Sequence, residues 1–483
     1  MSRRVTTNFC QVLARRSLPV LSDDGVSESE RMGPLFHTLA LLHLSALGCK
    51  CAPTVGFLAR SGSHLLLNNT PYRFAGANLY WLGLDENEGG VAYPTHFRVT
   101  DALTTIAGIL PGSLLRAHTL GISTGNTLSF EPSVGVFNDS ALEAADWAIA
   151  EAERLGLRLI IPLTDNWRYF HGGKHDFTTW CGDSNEKNFY TLPCAIASFK
   201  AYIAARLAHV NPYTGRAATN EPAIAVWETG NELAAAPAAW TQDIASFIKS
   251  LDGNHLVMDG EMVGSGDMPA HFSQCTSVDV FTQHFYPPNA ALLKQQADAV
   301  AAAGRVYIAG EYGWVDRSSV PVYSGATLAC LGSANCSGTC VWSFFPHGDT
   351  SGFVQHSDGF TFHYPGDSAD MRAFVQDLRA NGAAMAGGGA PAPLSPPLTP
   401  AVTAAQGGKL WWRGAALAAS YLVQTAPAAG GPWSSVNAAT PPTDDDAPWS
   451  VPGGLPQGVW VRLQGVGGEG LTGPWSTPWQ VTA

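Results

Sequence analysis

Charge is scarce in this chain. Asp, Glu, Lys and Arg make up 14% of its 483 residues, and 27 basic side chains against 39 acidic ones leave a formal net charge of -12. That sign repels a phosphate backbone, so nucleic acid is excluded as a partner. No Cys-x-x-Cys pair with a matching His pair occurs, which removes the structural-zinc class. Long apolar runs are nearly absent. The one candidate, Met32 to Gly48, has the length of a signal-peptide core, with Arg31 as its positive flank and small residues at its end, and is too short to span a bilayer. It implies a secreted protein with no membrane in the mature form. Met32 is then a candidate start, which would make residues 1–31 a gene-model extension.

Cysteine and tryptophan are plentiful by contrast, with nine of the first and fifteen of the second. Secretion makes disulfides the natural use of the cysteines. Cys181 and Cys194 bracket a loop, and Cys330, Cys336 and Cys340 cluster with Cys275 as a candidate partner, while Cys10, Cys49 and Cys51 lie near the N-terminus. Connectivity stays open at this level. An indole can stack on a pyranose, although most of these rings are expected to fill the core.

Short apolar runs alternate with helical patterns from about residue 53 to 382, the signature of repeated βα units. Eight candidate strands run over 72–79, 114–119, 157–163, 223–228, 255–259, 278–284, 306–311 and 339–344. The clearest helix spans Ser140 to Gly156, with Ser140 and Glu143 forming a capping box. The expected fold is α/β, a (β/α)8 TIM barrel followed by a small C-terminal all-β sandwich. Residues 1–52 form an N-terminal extension holding the signal segment at 32–48, 53–382 the barrel, 383–400 a Pro/Gly linker, and 401–483 the sandwich. The linker composition implies few contacts between the two domains and a removable module.

Two glutamates close apolar runs in Trp227-Glu-Thr-Gly-Asn231-Glu232 and Val306-Tyr-Ile-Ala-Gly-Glu311. Fully buried strands of a parallel barrel carry catalytic groups at their C-terminal ends. Two carboxylates there suit glycosidic cleavage, in which one protonates the leaving oxygen while the other attacks the sugar carbon; this chemistry requires no metal or cofactor.

Several segments together resemble the endo-β-1,4-mannanases of glycoside hydrolase family 5. They are Phe74-Ala-Gly-Ala-Asn78-Leu-Tyr80, Leu115-Arg116-Ala-His-Thr, Asp165-Asn-Trp167, Gly172-Gly-Lys-His-Asp-Phe-Thr-Thr-Trp180, Trp227 to Glu232, His284-Phe-Tyr286, Gly310-Glu311-Tyr-Gly313 and Trp342. The resemblance implies Glu232 as acid/base, Glu311 as nucleophile, Asn231 on the sugar 2-OH, Arg116 holding Glu311 ionised, Tyr286 donating to Glu311, His284 beside the pair and Trp342 as the floor of the reacting subsite. Trp81, Trp167, Trp180 and Trp314 are candidates for flanking subsites. It also implies a polysaccharide substrate, namely mannan, glucomannan or galactomannan. A β-glucanase of the same superfamily and a catalytically inactive cell-wall binding protein are the rival readings. The chain departs from the family in Asn-Glu-Leu for Asn-Glu-Pro and in Arg-Ala-His-Thr for Arg-Thr-Trp, the second close to the chemistry. The C-terminal pattern Trp411-Trp-Arg-Gly, Ser420-Tyr-Leu-Val-Gln and Gly473-Pro-Trp-Ser resembles a fibronectin type III sandwich.

Overall fold

The computed structural model describes residues 56–261, 268–314 and 330–483. The signal-type segment at 32–48 and Cys10, Cys49 and Cys51 lie outside the described residues. No helix among the described residues is long and apolar enough to cross a membrane.

A small antiparallel sheet comes first, from β1 (Leu58–Ser61), β2 (His64–Leu67) and β3 (Thr70–Tyr72). Its Leu58 and Leu65 pack with Phe74, Leu114, Leu256, Val280 and Val306, the first residues of five barrel strands or next to them, so this sheet plugs the end where those strands begin. The opposite end is left free for a site.

The barrel strands are β4 (Phe74–Ala77), β5 (Leu114–Arg116), β6 (Arg158–Pro162), β7 (Ile224–Glu228), β8 (Leu256–Met258), β9 (Val280–Phe285), β10 (Val306–Tyr312) and β11 (Cys336–Val341). They form one parallel sheet in the order β4-β11-β10-β9-β8-β7-β6-β5. The two ends meet where Asn78 bridges Arg116 and Leu79 N donates to Arg116 O at 2.9 Å, which closes the barrel. Helices such as His96–Ile109, Glu143–Arg154, Pro193–Ala208 and Ala238–Leu251 cover it, with apolar faces such as Ile244, Ala245 and Ile248 buried. A continuous apolar strand is stable only with both faces covered, which is why these runs are legible in sequence.

Three local expectations change. The last strand ends at Val341 rather than Phe344, because Trp342 to Phe344 leave the ladder as a loop whose Phe344 pairs with Phe362. The Ser140–Glu143 capping box does not form. Ser140 Oγ donates to Asn138 instead, Asp139–Leu142 is a 3-10 turn, and Glu143 accepts from His96 at 2.7 Å. Disulfides join Cys181 to Cys194 and Cys330 to Cys336, leaving Cys275 and Cys340 as buried thiols.

The C-terminal module has a three-stranded sheet, β12 (Ala401–Gln406), β13 (Lys409–Arg413) and β16 (Trp449–Ser450). Facing it is a five-stranded one of β15 (Ser434–Ser435), β14 (Ser420–Ala426), β17 (Trp460–Val466), β18 (Thr472–Trp475) and β19 (Trp479–Gln480). Period-two alternation in β17 turns Val461 and Leu463 inward against Trp412, Tyr421 and Val423.

The module is not loosely tethered. The barrel's last helix, Ala369–Met385, extends into the expected linker, and Leu394 and Pro397 within that linker are buried. His347 of the barrel lies between Asp101 of the barrel (Nδ1 to Oδ2, 2.9 Å) and Asp444 of the module (Nε2 to Oδ2, 3.1 Å). Asp444 in turn accepts from Trp412 and Tyr421 of the module core. The backbone at Gly414 runs so close that a Cβ would stand 2.1 Å from His347 Cδ2. Arg413 also lies over the Phe97 ring at 4.1 Å. Composition shows that a segment is extended and says nothing of what it packs on.

Burial alone would push the His347 imidazole down, but the two carboxylates raise it to about 10 from 6.5. A raised folded value means that this contribution is complete below about pH 6.5 and is lost as pH rises through about 10. Asp444→Ala is therefore expected to cost roughly 3–5 kcal/mol at pH 6, the usual penalty for stripping a buried ion of its partner. In urea titrations the gap to wild type should narrow as pH approaches 10. A gap of the same size at both pH values would contradict the ion-pair account.

Candidate active site

Arg116 ends β5 with no solvent exposure, and each of its donors is engaged. Nε and Nη2 grip Glu228 in a two-pronged contact at 2.7 Å each, Nη2 also donates to Asn231 Oδ1 at 2.8 Å, and Nη1 reaches Glu311 Oε1 at 2.5 Å and His118 Nε2 at 2.7 Å. A planar fork of five N–H groups is matched to such a set of acceptors. The ends of β5, β7 and β10 are thereby tied to one cation.

Glu228 is the last residue of β7, but Glu232 lies four residues beyond it. The chain turns through Thr229 and Gly230, where Asn231 N donates to Thr164 O at 2.7 Å and Leu233 N to Gly260 O at 2.9 Å. Gly260 crosses Gly230 so closely that a Cβ on it would sit 1.6 Å from the Gly230 carbonyl oxygen. Glu232 itself takes φ +52, a left-handed conformation costly for a glutamate and held by these neighbours. The turn brings its carboxylate over the rim.

There Glu232 Oε1 is 2.7 Å from His284 Nδ1 near the end of β9, and Oε2 accepts from Trp167 Nε1 at 2.5 Å. His284 Nδ1 is also 3.5 Å from Glu311 Oε2, which accepts from Tyr286 OH at 3.0 Å. An oxygen of Glu232 and one of Glu311 lie within 4.8 Å of each other. These two and His284 form a set of closely spaced donor atoms, in which His284 makes a hydrogen bond to Glu232 and a longer approach to Glu311. A second such set, Asp259, Glu261 and His271, has the acids on opposite ring nitrogens of the histidine, an imidazolium clamp rather than a shared apex.

The electrostatics separate the two carboxyls. Burial would raise Glu311, but His284 and Arg116 hold it well below the usual carboxylate range. For Glu232, burial and the Glu311 charge push upward while the His284 and Trp167 hydrogen bonds pull downward, leaving it below its ordinary value. Tyr286 is raised well above 10 by burial and by the Glu311 charge, so it remains a donor.

These groups open into a cavity of about 340 Å3 lined by Tyr80, Trp167, Tyr169, Tyr286, Trp342 and Phe360 among others. Trp342 stacks on Tyr80 with centroids 5.2 Å apart and planes 11° apart, and its Nε1 donates to Asp358 at 2.5 Å. Of the expected site residues, Glu232, Glu311, Asn231, Arg116, His284, Tyr286, Trp342 and Trp167 converge here. Trp81 does not. It is fully buried, donates to Phe344 O at 3.0 Å, and belongs to the core. Trp314 likewise stacks on Phe374, and Trp180 packs edge-on to Phe177. Strand-end tryptophans look alike in sequence whether they face the cavity or the helices.

Sequence reasoning missed Glu228 and His118. Glu228 closes the β7 run, and a carboxylate at an apolar strand end needs a cation as much as Arg116 needs an anion.

The model of the GH family 5 beta-mannosidase-like group matches residues 55–321, more than half of the chain. The chain belongs to glycoside hydrolase family 5. It is 31% identical over 228 residues to mannan endo-1,4-beta-mannosidase 3 of Arabidopsis thaliana, covering 45% of this chain and 53% of that one. To mannan endo-1,4-beta-mannosidase 1 of Solanum lycopersicum it is 32% identical over 234 residues, covering 45% and 56%. The family 5 chain thus spans a little over half the length of these relatives. Its fold is that of the Rhizomucor miehei endo-1,4-beta-mannanase, with a TM-score of 0.59 at 24% identity over 69% of this chain and 100% of that one. The Thermotoga petrophila endo-beta-1,4-mannanase gives 0.57 at 20% identity, over 85% and 98%.

The Arg116 fork carries a stability test. Glu228→Gln removes the charge opposite a fully buried guanidinium, and a loss of roughly 3–5 kcal/mol is expected from chemical denaturation. A loss below about 1 kcal/mol, as for an exposed pair, would show that Glu228 is not the principal partner of Arg116.

Proposed function

We propose that this protein is a secreted, retaining, endo-acting hydrolase of β-1,4-mannosidic bonds in mannan, glucomannan or galactomannan. The observation that carries the reading is the pair Glu232 and Glu311, whose oxygens approach within 4.8 Å on one barrel rim. Retaining enzymes hold their carboxyls roughly 5–5.5 Å apart, whereas inverting ones need roughly 6.5–9.5 Å to admit a water. The mannanase names of the relatives support the choice of sugar.

In the first step Glu311, ionised by its neighbours, attacks the anomeric carbon. The glycosidic bond breaks, and its oxygen takes the proton of Glu232. A glycosyl ester on Glu311 results. In the second step Glu232, now a carboxylate, removes a proton from water; the hydroxide adds to the anomeric carbon and Glu311 leaves. Asn231 donates one amide hydrogen to Asp165 at 3.0 Å, leaving the other for the sugar 2-OH. Trp342, backed by Tyr80, presents its free face as a floor. The C-terminal module is read as fibronectin III-like, with a spacer or weak wall-binding role, and the segment at 32–48 as the export signal.

Glu311→Gln is expected to lose on the order of 10⁴-fold or more in kcat on every substrate. Glu232→Gln should retain turnover of activated aryl mannosides and gain from azide, which replaces the base-activated water. Equal responses of the two variants would reverse or cancel the roles. Because Glu232 must be protonated to act as the acid and is held below its ordinary value, kcat/KM on mannan should fall progressively as pH rises above that lowered value. Reducing-sugar release from mannan, glucomannan, cellulose and laminarin tests the substrate directly; release from cellulose or laminarin alone would favour a β-glucanase.

A further inference from the structure

His118 occupies a position the mechanism above does not use, and it is where this chain has His in place of the Trp of Arg-Thr-Trp. The ring is 6% exposed, lines the cavity, and lies 5.3 Å from the Trp342 ring. Its Nε2 is 2.7 Å from Arg116 Nη1 and 3.2 Å from Glu311 Oε1.

The tautomer follows from the donor count. A guanidinium nitrogen only donates, so the shorter of the two Nε2 contacts, 2.7 Å to Arg116, is made by an accepting Nε2 with the ring proton on Nδ1, and the 3.2 Å approach to Glu311 Oε1 is the one through which a protonated ring would donate. Nδ1 faces the Asp165 carboxylate at 3.9 Å, a charge that favours a proton on that side. Arg116 Nη1 thus spends one hydrogen on Glu311 and the other on His118. The ionisable groups around the ring are Arg116 from β5, Glu311 from β10, and Asp165 after β6 with His171 at 3.2 Å behind it; Tyr80 flanks it after β4.

We propose that His118 is a positioning residue for the nucleophile: neutral, it anchors the Arg116 hydrogen beside Glu311, and protonated at Nε2 it expels that hydrogen and donates to Glu311 Oε1 instead. The protonated ring would place a second cation against Arg116 and occupy the oxygen lone pair that Glu311 needs for attack. His118, and not Glu311, then sets the acidic limit of the first chemical step. Burial and the Arg116 charge, which hold the imidazole below its ordinary value, keep the neutral form dominant near neutrality. This inference rests on the double-displacement reading and adds a proton-sensitive control to it.

The test uses dinitrophenyl β-mannobioside, whose leaving group needs little help from Glu232, so that the acid limb of kcat/KM reports the nucleophile side alone. His118→Gln supplies a carbonyl acceptor that does not titrate, and its acid limb is expected to move down by about one pH unit or more. His118→Phe, with no acceptor, is expected to lose about tenfold in kcat with KM little changed, and His118→Gln should recover most of that loss. In wild type, imidazole 15N NMR should show Nδ1 protonated and Nε2 bare at neutral pH, with the ring titrating at the pH of the kinetic limb. Superimposable acid limbs for wild type and His118→Gln would overturn the proposal, as would an Nε2–H tautomer, even where His118→Phe does not fold. Failure of the wild type to cleave either this substrate or mannan would overturn the reaction assignment, and the NMR tautomer would then decide the His118 contact on its own.

Discussion

Burying a guanidinium costs several kcal/mol even after relaxation, and the end of the barrel where the strands finish is organised around meeting that cost at Arg116. Its fork holds Glu228 on β7, Asn231 in the turn beyond it, Glu311 on β10 and His118 after its own strand, and Asn78 bridges to it where the sheet closes. One cation thus fixes the relative positions of three strand ends. Together with His284 it also leaves Glu311 ionised in a place where burial would otherwise neutralise it. Stability and the ionisation of Glu311 share a single ion cluster, with Glu228 supplying much of the compensation, and in the proposed mechanism Glu311 is the member that loses its charge when an ester forms.

The strained turn at Glu232 complements this arrangement. A regular continuation of β7 would carry the chain past the rim, whereas the turn, seated against Gly260 and the Thr164 carbonyl, brings Glu232 back toward Glu311. His284 then bridges the two carboxylates, close to Glu232 and within 3.5 Å of Glu311. The two acids differ in environment. Glu311 has the permanent cation Arg116 against it, whereas Glu232 meets His284 and the Trp167 indole.

Much of this was legible in the sequence because it rests on local signals. Six of the eight strands appear close to where apolar runs bounded by turn residues place them, the second stopping at Arg116 before a 3-10 turn at His118–Leu120 and the last ending at Val341, and Glu232 and Glu311 stand out at the ends of such runs. What was not legible depends on three-dimensional partners. Trp81 and Trp167 are both aromatic residues near strand ends, yet one donates into the core and the other to Glu232. Glu228 reads as the end of a run until the Arg116 fork is seen. The Ser140 capping box has the right spacing but loses to Asn138, and Glu143 is drawn to His96. Residues 391–400 of the Pro/Gly linker lie outside helix and sheet, but its start is taken up by the helix ending at Met385, and the buried Asp101–His347–Asp444 triad that docks the module joins residues 246 and 97 positions apart.

The central claim is that Glu311, and no other carboxylate of the cluster, forms the covalent bond to the sugar. A deoxyfluoro-mannosyl fluoride slows both steps but the second more, so the ester accumulates and can be located by peptide mapping with mass spectrometry. The account predicts one added sugar per chain, on Glu311 within the peptide containing Val306 to Tyr312, and none in Glu311→Gln. A label on Glu232 or Glu228, or inversion of configuration without any covalent species, would contradict it.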